Sequence, residues 1–440
     1  MDTKEILKRL ETGVTSEIIK DLIEDHSARA AEMKRLYNAY KAEELSILKR
    51  PELDSHQANN KLVNPYRTNI VDQVCGYMFG EPISYEVEGE AEAEWLRKFR
   101  LINRVEDRDA TTGKYKTICG YGARLSYIDN ELKERTMNLP PWEAIIIKDR
   151  SLDETQFAMR YYEITDKTGD KNRLRIRVEW YDKKNIYFFN EGDDGRFYAD
   201  QEKPSQPHLF QYVPVIKFKN NDEEKGDFEI VEPLIDAYDR LVSDAQNILE
   251  DFRAAYLVFE GGDPPTKEEV DEMKRARAIG GPGNVKYLTK EIQDQFLQNQ
   301  KQTLNANIYK FAQAVDMDDE AFHSAESGEA RKWRLMALEN KAISKERKFD
   351  AGLREEFKVL TSYPGGPNID YLDIQWEFRR NVPIDLQYLG DAAQKFQGMV
   401  SHKTLLSLLP FIDDPQGELE LMQEEMEGMV DLDEVEGEEE

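Results

Sequence analysis

The chain has 440 residues, 40% of them hydrophobic and 34% charged, and its 88 Asp and Glu outweigh 60 Lys and Arg to give a net charge of −28. That length exceeds what one hydrophobic core usually serves, so two to four structural units are expected. No run of about 18 apolar residues occurs, which excludes a membrane-spanning helix, and so acidic a balance argues against tight nucleic-acid binding, which uses Lys and Arg to displace phosphate counterions.

The opening "MDTKEILKRLETG" reads as an amphipathic helix without the long apolar stretch of a secretory signal. Helices are expected over residues 1–60, with sparse apolar positions Ile18, Ile19, Leu22 and Ile23. In "NNKLVNPYRTNIVDQVCGYMFGEPISYE", residues 59–86, Ile70, Val71, Val74, Tyr77 and Met78 recur at helical spacing. Gly80 and Pro82 then stop that helix before the alternating "ISYEV". Residues 92–112 read as helix again. The only cysteines, Cys75 and Cys119, permit one disulfide at most and suit two reduced, buried thiols.

From about residue 115 to 220 the period becomes two: Phe157, Met159 and Tyr161 alternate, as do Leu174, Ile176, Val178 and Trp180. "NEGDDGR" supplies a hairpin turn between such runs, and the short connections predict a mostly antiparallel unit.

In "EPLIDAYDRLVSDAQNILEDFRAAYLVFE", Pro233 suits a first helical turn. Leu234, Leu241, Ile248 and Ala255 fall seven apart, as do Ile235, Val242, Leu249 and Tyr256. Such a stripe predicts a long helix packed lengthwise on others, within one domain or between subunits. A small αβ knob follows: strand-like "YLVF", a short helix opened by the capping pair Thr266 and Glu269, and strand-like "NVKYLT". Lys267, Lys274, Arg275 and Arg277 make the knob locally basic, which a solvated helix face also explains. A second long helix is expected from about 291 to 314, and "DMDDEAFHSAESG" breaks it. A third runs from about 329 to 360, with Trp333, Leu335, Leu338, Ala342, Phe349, Leu353 and Phe357 as its apolar side. "IDYLDIQWEF" alternates like a strand and is expected to return to the β-rich unit. "LQYLGDAAQKFQGMV", "SHKTLLSLLPFIDD" and "GELELMQEEMEGMV" read as terminal helices. No Lys or Arg follows Lys403, and residues 413–440 carry fourteen Asp and Glu, so the end of the chain is expected to be a disordered acidic tail.

Catalytic patterns are weak. "CGYGA" and "GGPG" lack the Lys-Ser/Thr of a phosphate loop, and the five histidines show no ligand spacing. Asp316, Asp318 and Asp319 leave open a metal-dependent nuclease or hydrolase.

In this order the motifs resemble the SPP1-type portal proteins of tailed bacteriophages. "NNKLVNPYRTNIVDQVCGYMFGEPISYE" is similar to that family's N-terminal signature and "PLIDAYDRLVSDAQN" to its first stem helix. "NVKYLT", "MALENKA" and "LLSLLPFIDDPQGELELMQEE" resemble later family segments, the last being its crown. The resemblance implies an α+β, predominantly α, portal fold. Its parts would be a wing (1–227), a first stem helix (228–258), a clip (259–290), a second stem helix (291–315) and a tunnel loop (316–328). A long helix returning to the wing (329–400), a crown (401–430) and an acidic tail (431–440) would follow.

The same resemblance implies a dodecameric ring at one capsid vertex of the virion, assembled in the bacterial host cytoplasm, passing double-stranded DNA during packaging and ejection. Its partners would be the terminase large subunit, a head-completion adaptor protein, and the major capsid and scaffolding proteins, with no membrane, cofactor or catalytic residue. The tunnel loop would place Asp316, Asp318, Asp319, Glu320, His323, Ser324 and Glu326 toward DNA, and the basic knob would meet the partners. The loop departs from the family pattern: Ser327-Gly328 is followed by Glu329, Arg331 and Lys332 rather than small apolar residues. Another ring-forming scaffold with a similar stem is the structural alternative. Acidic walls suit a conduit, because each Lys–phosphate contact must be broken at every step of translocation, although solubility explains an acidic surface too.

Overall fold

The computed structural model describes residues 3–10, 13–52, 58–149, 154–166, 173–253, 256–259, 294–317, 328–381, 390 and 394–407, with separate positions between 266 and 288 and between 412 and 422. The chain forms two compact units, Met1–Asn381 and Val382–Glu440.

The first unit opens with α1 (Thr3–Leu10) and α2 (Ser16–Tyr40). The Thr15 hydroxyl caps α2 by accepting from the Ile18 amide at 3.3 Å, satisfying one of the donors a helix start leaves orphaned. Ile18, Ile19 and Leu22 share one face and bury against Phe157, Met159, Val178 and Trp180, with Ile23 at the rim. Helix α3 (Tyr66–Phe79) buries Ile70, Val71, Val74 and Met78, as their spacing predicts. Its abrupt end is a packing requirement. Phe79 lies against Gly113, where any Cβ would overlap the ring, and against Phe349 and Phe378 at centroid separations of 5.1 and 6.4 Å. The Asn381 amide donates to the Tyr77 carbonyl at 3.1 Å, satisfying one of the helix's terminal acceptors.

β1 (Ser84–Glu86), α4 (Glu90–Asn103) and α5 (Val105–Cys119) lead into two antiparallel sheets. β2 (Tyr121–Ile128), β3 (Glu134–Leu139) and β10 (Val215–Lys219) form one, in the order β10-β2-β3. The other runs β4 (Ala144–Asp149), β5 (Glu154–Asp166), β6 (Arg173–Tyr181), β7 (Asn185–Glu191) and β8 (Phe197–Ala199), with β9 (Ser205–Pro207) also on β7. The β-rich segment is thus antiparallel as expected but divided between two sheets. The expected Asp-Gly turn joins β7 to β8, with Gly195 at φ +68° and the Gly192 amide donating to the Arg196 carbonyl at 2.7 Å.

Arg124 of β2 is wholly enclosed. Its guanidinium meets Asp109 of α5 at 2.5 Å, Glu356 at 2.8 Å and the Thr112 hydroxyl at 2.8 Å. Tyr85 donates to Asp109 at 2.6 Å and Thr136 to Glu356 at 2.8 Å, so the carboxylates are paired and hydrogen-bonded, the condition under which charges are tolerated in a core.

After residue 220 come α6 (Glu232–Arg253), the strands β11 (Tyr256–Phe259), β12 (Ala278–Ile279) and β13 (Val285–Leu288), then α7 (Asp294–Ala312) and α8 (Gly328–Leu360). β11 pairs antiparallel with β13 and parallel with β12, so the two strand-like runs of the expected knob pair with each other. At 33 residues α8 spans about 50 Å, and it buries Leu338, Ala342, Phe349, Leu353 and Phe357 as predicted.

The strand expected to return to the β-rich unit does not. β14 (Gln375–Glu377) pairs antiparallel with β1, Tyr85 opposite Trp376. Both rings pack on Phe357 of α8, at centroid distances of 5.8 and 5.7 Å, and that contact selects a partner the alternation alone left undefined.

Both cysteines are free, Cys119 buried and Cys75 partly so. His26 sits 2.9 Å from the Tyr161 hydroxyl and His208 3.0 Å from the Asp182 carbonyl, which are structural contacts. In the second unit α9 (His402–Ser407) is helical, and Gln397 bridges Val400. Most of "GELELMQEEMEGMV" and all of 431–440 lie outside the described residues, as does Glu269 of the expected capping pair.

Candidate assembly face and loop anchor

On α6 the residues Asp239, Ser243 and Asn247 fall four apart and are all buried. Against them lies the extended segment 60–64 of the "NNKLVN" motif. The amides of Asn64, Leu62 and Asn60 donate to Asp239 Oδ1 at 2.9 Å, Ser243 Oγ at 3.0 Å and Asn247 Oδ1 at 2.7 Å. The match is geometric: four helical residues advance about 6 Å, close to two residues of extended chain. One helix face therefore does for this segment what a neighbouring strand would. Asn60 and Asn64 add side-chain bonds to the same two acceptors at 2.9 and 2.8 Å. Arg67 continues the ladder toward the start of α6, reaching Asp236 at 2.5 Å and Glu232 at 3.5 Å. Arg35 grips Glu232 with two bonds of 2.7 Å. Replacing Ser243 and Asn247 together with Ala is expected to cost roughly 2–3 kcal/mol, about 1 for each hydrogen bond removed. Hydrogen exchange should quicken at Asn60 and Leu62 while Asn64 stays protected. Unchanged exchange at all three would contradict the ladder.

The apolar side of α6 is covered less well than its heptads predict. Ile235 is buried, but Leu241, Val242 and Ile248 are partly open and Leu249 is 49% exposed. On α7, which packs against α6, Phe296 and Phe311 are 56% and 52% exposed. The long helices thus carry apolar side chains that no described part of the chain covers.

The segment after α7 is anchored at its start. Gln73 of α3 clamps Val315 through two reciprocal bonds of 2.7 Å, one to its amide and one to its carbonyl. Asn305 donates to Asp316 at 2.6 Å and accepts from the Tyr66 hydroxyl at 2.6 Å. Tyr66, Tyr238, Lys301, Asn305, Tyr309 and Asp316 line an open cleft of about 460 Å³.

A second anchor joins α7 to α8. Lys341 donates to the Ala312 carbonyl at 2.7 Å and pairs with Asp227 at 2.8 Å, while Lys345 pairs with Asp227 at 2.9 Å and donates to the Thr117 hydroxyl at 3.0 Å. Buried Lys116 donates to the Lys345 carbonyl at 2.9 Å. Burial works against ionising Asp227, but the two ammonium groups outweigh it and hold the carboxyl below the usual carboxylate range. Burial, and after it the neighbouring Lys345, push Lys116 well below the usual lysine range despite Asp227 nearby.

Of the residues singled out by sequence, Asp316 is placed by Asn305, and Arg275 lies exposed in a helical turn. Asp318, Asp319, Glu320, His323, Ser324 and Glu326, and Lys267, Lys274 and Arg277, lie outside the described residues. No group of three or more His, Cys, Asp or Glu is placed to share a metal ion among the described residues. Sequence reading missed the Asp239–Ser243–Asn247 ladder, whose signal was polar residues at four-residue spacing beside an apolar stripe. It also missed Asp227, Lys341 and Lys345, which carry no local signal beyond the i, i+4 lysines.

A mixed α and β chain with this signature segment pinned to a long paired helix matches one family over most of its length. Residues 19–430 match the family model described as phage portal protein, SPP1 Gp6-like. The chain belongs to that family, and so to the structural components of phage capsids. It is 27% identical over 395 residues to the portal protein of Bacillus phage SPP1, covering 85% of this chain and 78% of that one. It is 25% identical over 401 residues to the portal protein of Clostridium phage phiCD119, covering 86% and 88%. Among the described residues no helix is long and apolar enough to cross a membrane.

Proposed function

We propose that twelve copies of this chain close into a ring at one vertex of the capsid and serve as the conduit for double-stranded DNA during packaging and ejection. In this reading α6 and α7 are the stem, β11 to β13 and the basic residues 267–277 form the clip, residues 316–328 are the tunnel loop, and 401–430 contribute the crown. The clip meets the terminase large subunit first and a head-completion protein later, and the wing, built from the elements before α6, meets capsid and scaffolding proteins. The work is mechanical, with no catalytic residue.

One observation carries this reading: Leu249 of α6 and Phe296 and Phe311 of α7 stand about half exposed, with no cover for those faces within the described chain. A helix pair with apolar positions on two sides can meet its neighbour head to tail, and such an interface closes when the rotation fits. The acidic balance of the chain suits a bore that repels phosphate and keeps the duplex centred.

Light scattering on the purified protein is expected to give a mass many times that of one chain, and negative-stain images to show annuli with a central hole. Replacing Leu249 and Phe296 with Lys should shift the population to smaller species. A monomer that cleaves DNA with magnesium would overturn the reading in favour of a nuclease.

A further inference from the structure

A cleft of about 790 Å³ lies away from the helix pair, where two sheets end. β4 is the terminal strand of the six-stranded sheet and β10 of the three-stranded one, and α8 packs on β10. Lys148 of β4, Lys217 and Lys219 of β10, and Lys348, Arg354 and Lys358 of α8 all line it. Six cations line it against four carboxylates, Glu154, Asp222, Asp350 and Glu355, so the cleft leans positive although the chain carries a net charge of −28.

Three of them are matched by carboxylates: Lys148 by Glu355 at 3.0 Å, Lys348 by Asp222 at 2.6 Å and Lys217 by Glu224 at 2.7 Å. The other three have no carboxylate to themselves. Lys219 stands 3.6 Å from Glu224, which Lys217 already holds with two bonds. Arg354 donates to the carbonyls of Tyr371 and Ile374 at 3.2 and 3.1 Å and sits 4.0 Å over the Trp376 ring. Lys358 lies 4.4 Å over the Tyr212 ring. Neither Arg354 nor Lys358 has a carboxylate in ion-pair range among the described residues.

We propose that this cleft docks an extended acidic segment of a partner polypeptide. Cations without a carboxylate to themselves, on an otherwise anionic chain, favour a partner of negative charge, and the rings beneath Arg354 and Lys358 hold two of them in place. Duplex DNA fits poorly: it carries a charge about every 1.7 Å, and Glu355, Asp350 and Asp222 stand among the cations that would meet it. A peptide alternates its carboxylates with amide donors, so the same carboxylates become acceptors for its backbone. β4 and β10 each have strand partners on one side only among the described residues, and a terminal strand offers unpaired backbone groups to an added strand. This docking site does not depend on the ring.

The test uses the full chain and a fluorescein-labelled peptide of alternating Glu and Thr, with anisotropy read at several salt concentrations. Wild type is expected to bind, more weakly as salt rises. Arg354→Gln with Lys358→Gln should weaken binding about a hundredfold, roughly tenfold for each charge-assisted hydrogen bond removed. Because Arg354 also holds two carbonyls, Lys219→Glu with Lys358→Glu is the second pair, and it must show a comparable loss. Unchanged affinity in that second pair, or no binding of the peptide by wild type, overturns the proposal. So does duplex DNA that displaces the peptide and loses affinity in the same variants, since the cleft would then belong to nucleic acid.

Discussion

Replacing Arg124 with Met is expected to lower stability by about 3–5 kcal/mol, the usual cost of removing one partner from a buried charge network. The residue is 1% exposed and neutralises two carboxylates that are themselves enclosed, Asp109 and Glu356. Met fills similar volume but leaves both anions without a cation. The network also joins elements distant in sequence: β2 through Arg124, α5 through Asp109, α8 through Glu356, β1 through Tyr85 and β3 through Thr136. Urea unfolding followed by tryptophan fluorescence measures the loss. Adding Asp109→Asn and Glu356→Gln to the Met variant should recover much of it, because the stranded charges then disappear. A single variant within about 1 kcal/mol of wild type would mean that water or rearrangement satisfies the carboxylates, and that the network is not what joins β2 to α8.

Asp227→Ala is expected to cost about as much, 3–5 kcal/mol at neutral pH. Here one buried carboxylate serves two ammonium groups, Lys341 at 2.8 Å and Lys345 at 2.9 Å, and its loss leaves two like charges facing each other. The pH dependence supplies a second check. The Asp227 carboxyl is held below its usual range in the fold, so its stabilisation is fully present above the unfolded carboxylate pKa of about 4 and is lost as pH falls toward the folded value. The gap between wild type and variant should therefore be widest near neutrality and shrink below about pH 4. A gap that stays constant across that window would rule out the ion pairs as its source. In the ring reading this variant also loosens α8 from the end of α7, because Lys341 holds both Asp227 and the Ala312 carbonyl. Ring assembly should then weaken more than in the Arg124 variant, whose network lies away from that junction.

The long elements were legible because their signals are local. Ile18, Ile19 and Leu22, and the run from Leu338 to Phe357, repeat at the helical period, and each is buried where that repeat places it. Phe157, Met159, Val178 and Trp180 alternate and lie together on one core, Phe157 and Trp180 stacked at 4.5 Å. The pairing of β14 was not legible, since alternation marks a strand without choosing its partner. That choice fell to Phe357, which gathers Tyr85 and Trp376. The heptads of α6 read as a covered stripe, whereas the face the chain buries deepest is the polar one, Asp239, Ser243 and Asn247. Their partner is a backbone 175 to 187 residues earlier, and backbone donors have no sequence signature.

The order of residues alone determined the kinds of element, their succession and membership of the portal family, because period, capping and motif order are written within a few turns of chain. Only the folded chain decided which charges are enclosed, which strand ends lie open and which apolar side chains remain without cover. Arg124, Lys345 and Asp227 look like surface residues in sequence, and each is tolerated inside because its counter-charges arrive from elements up to 232 residues away. Charge burial depends on the free-energy balance between desolvation and a correctly placed partner, and that placement exists only once the elements have packed.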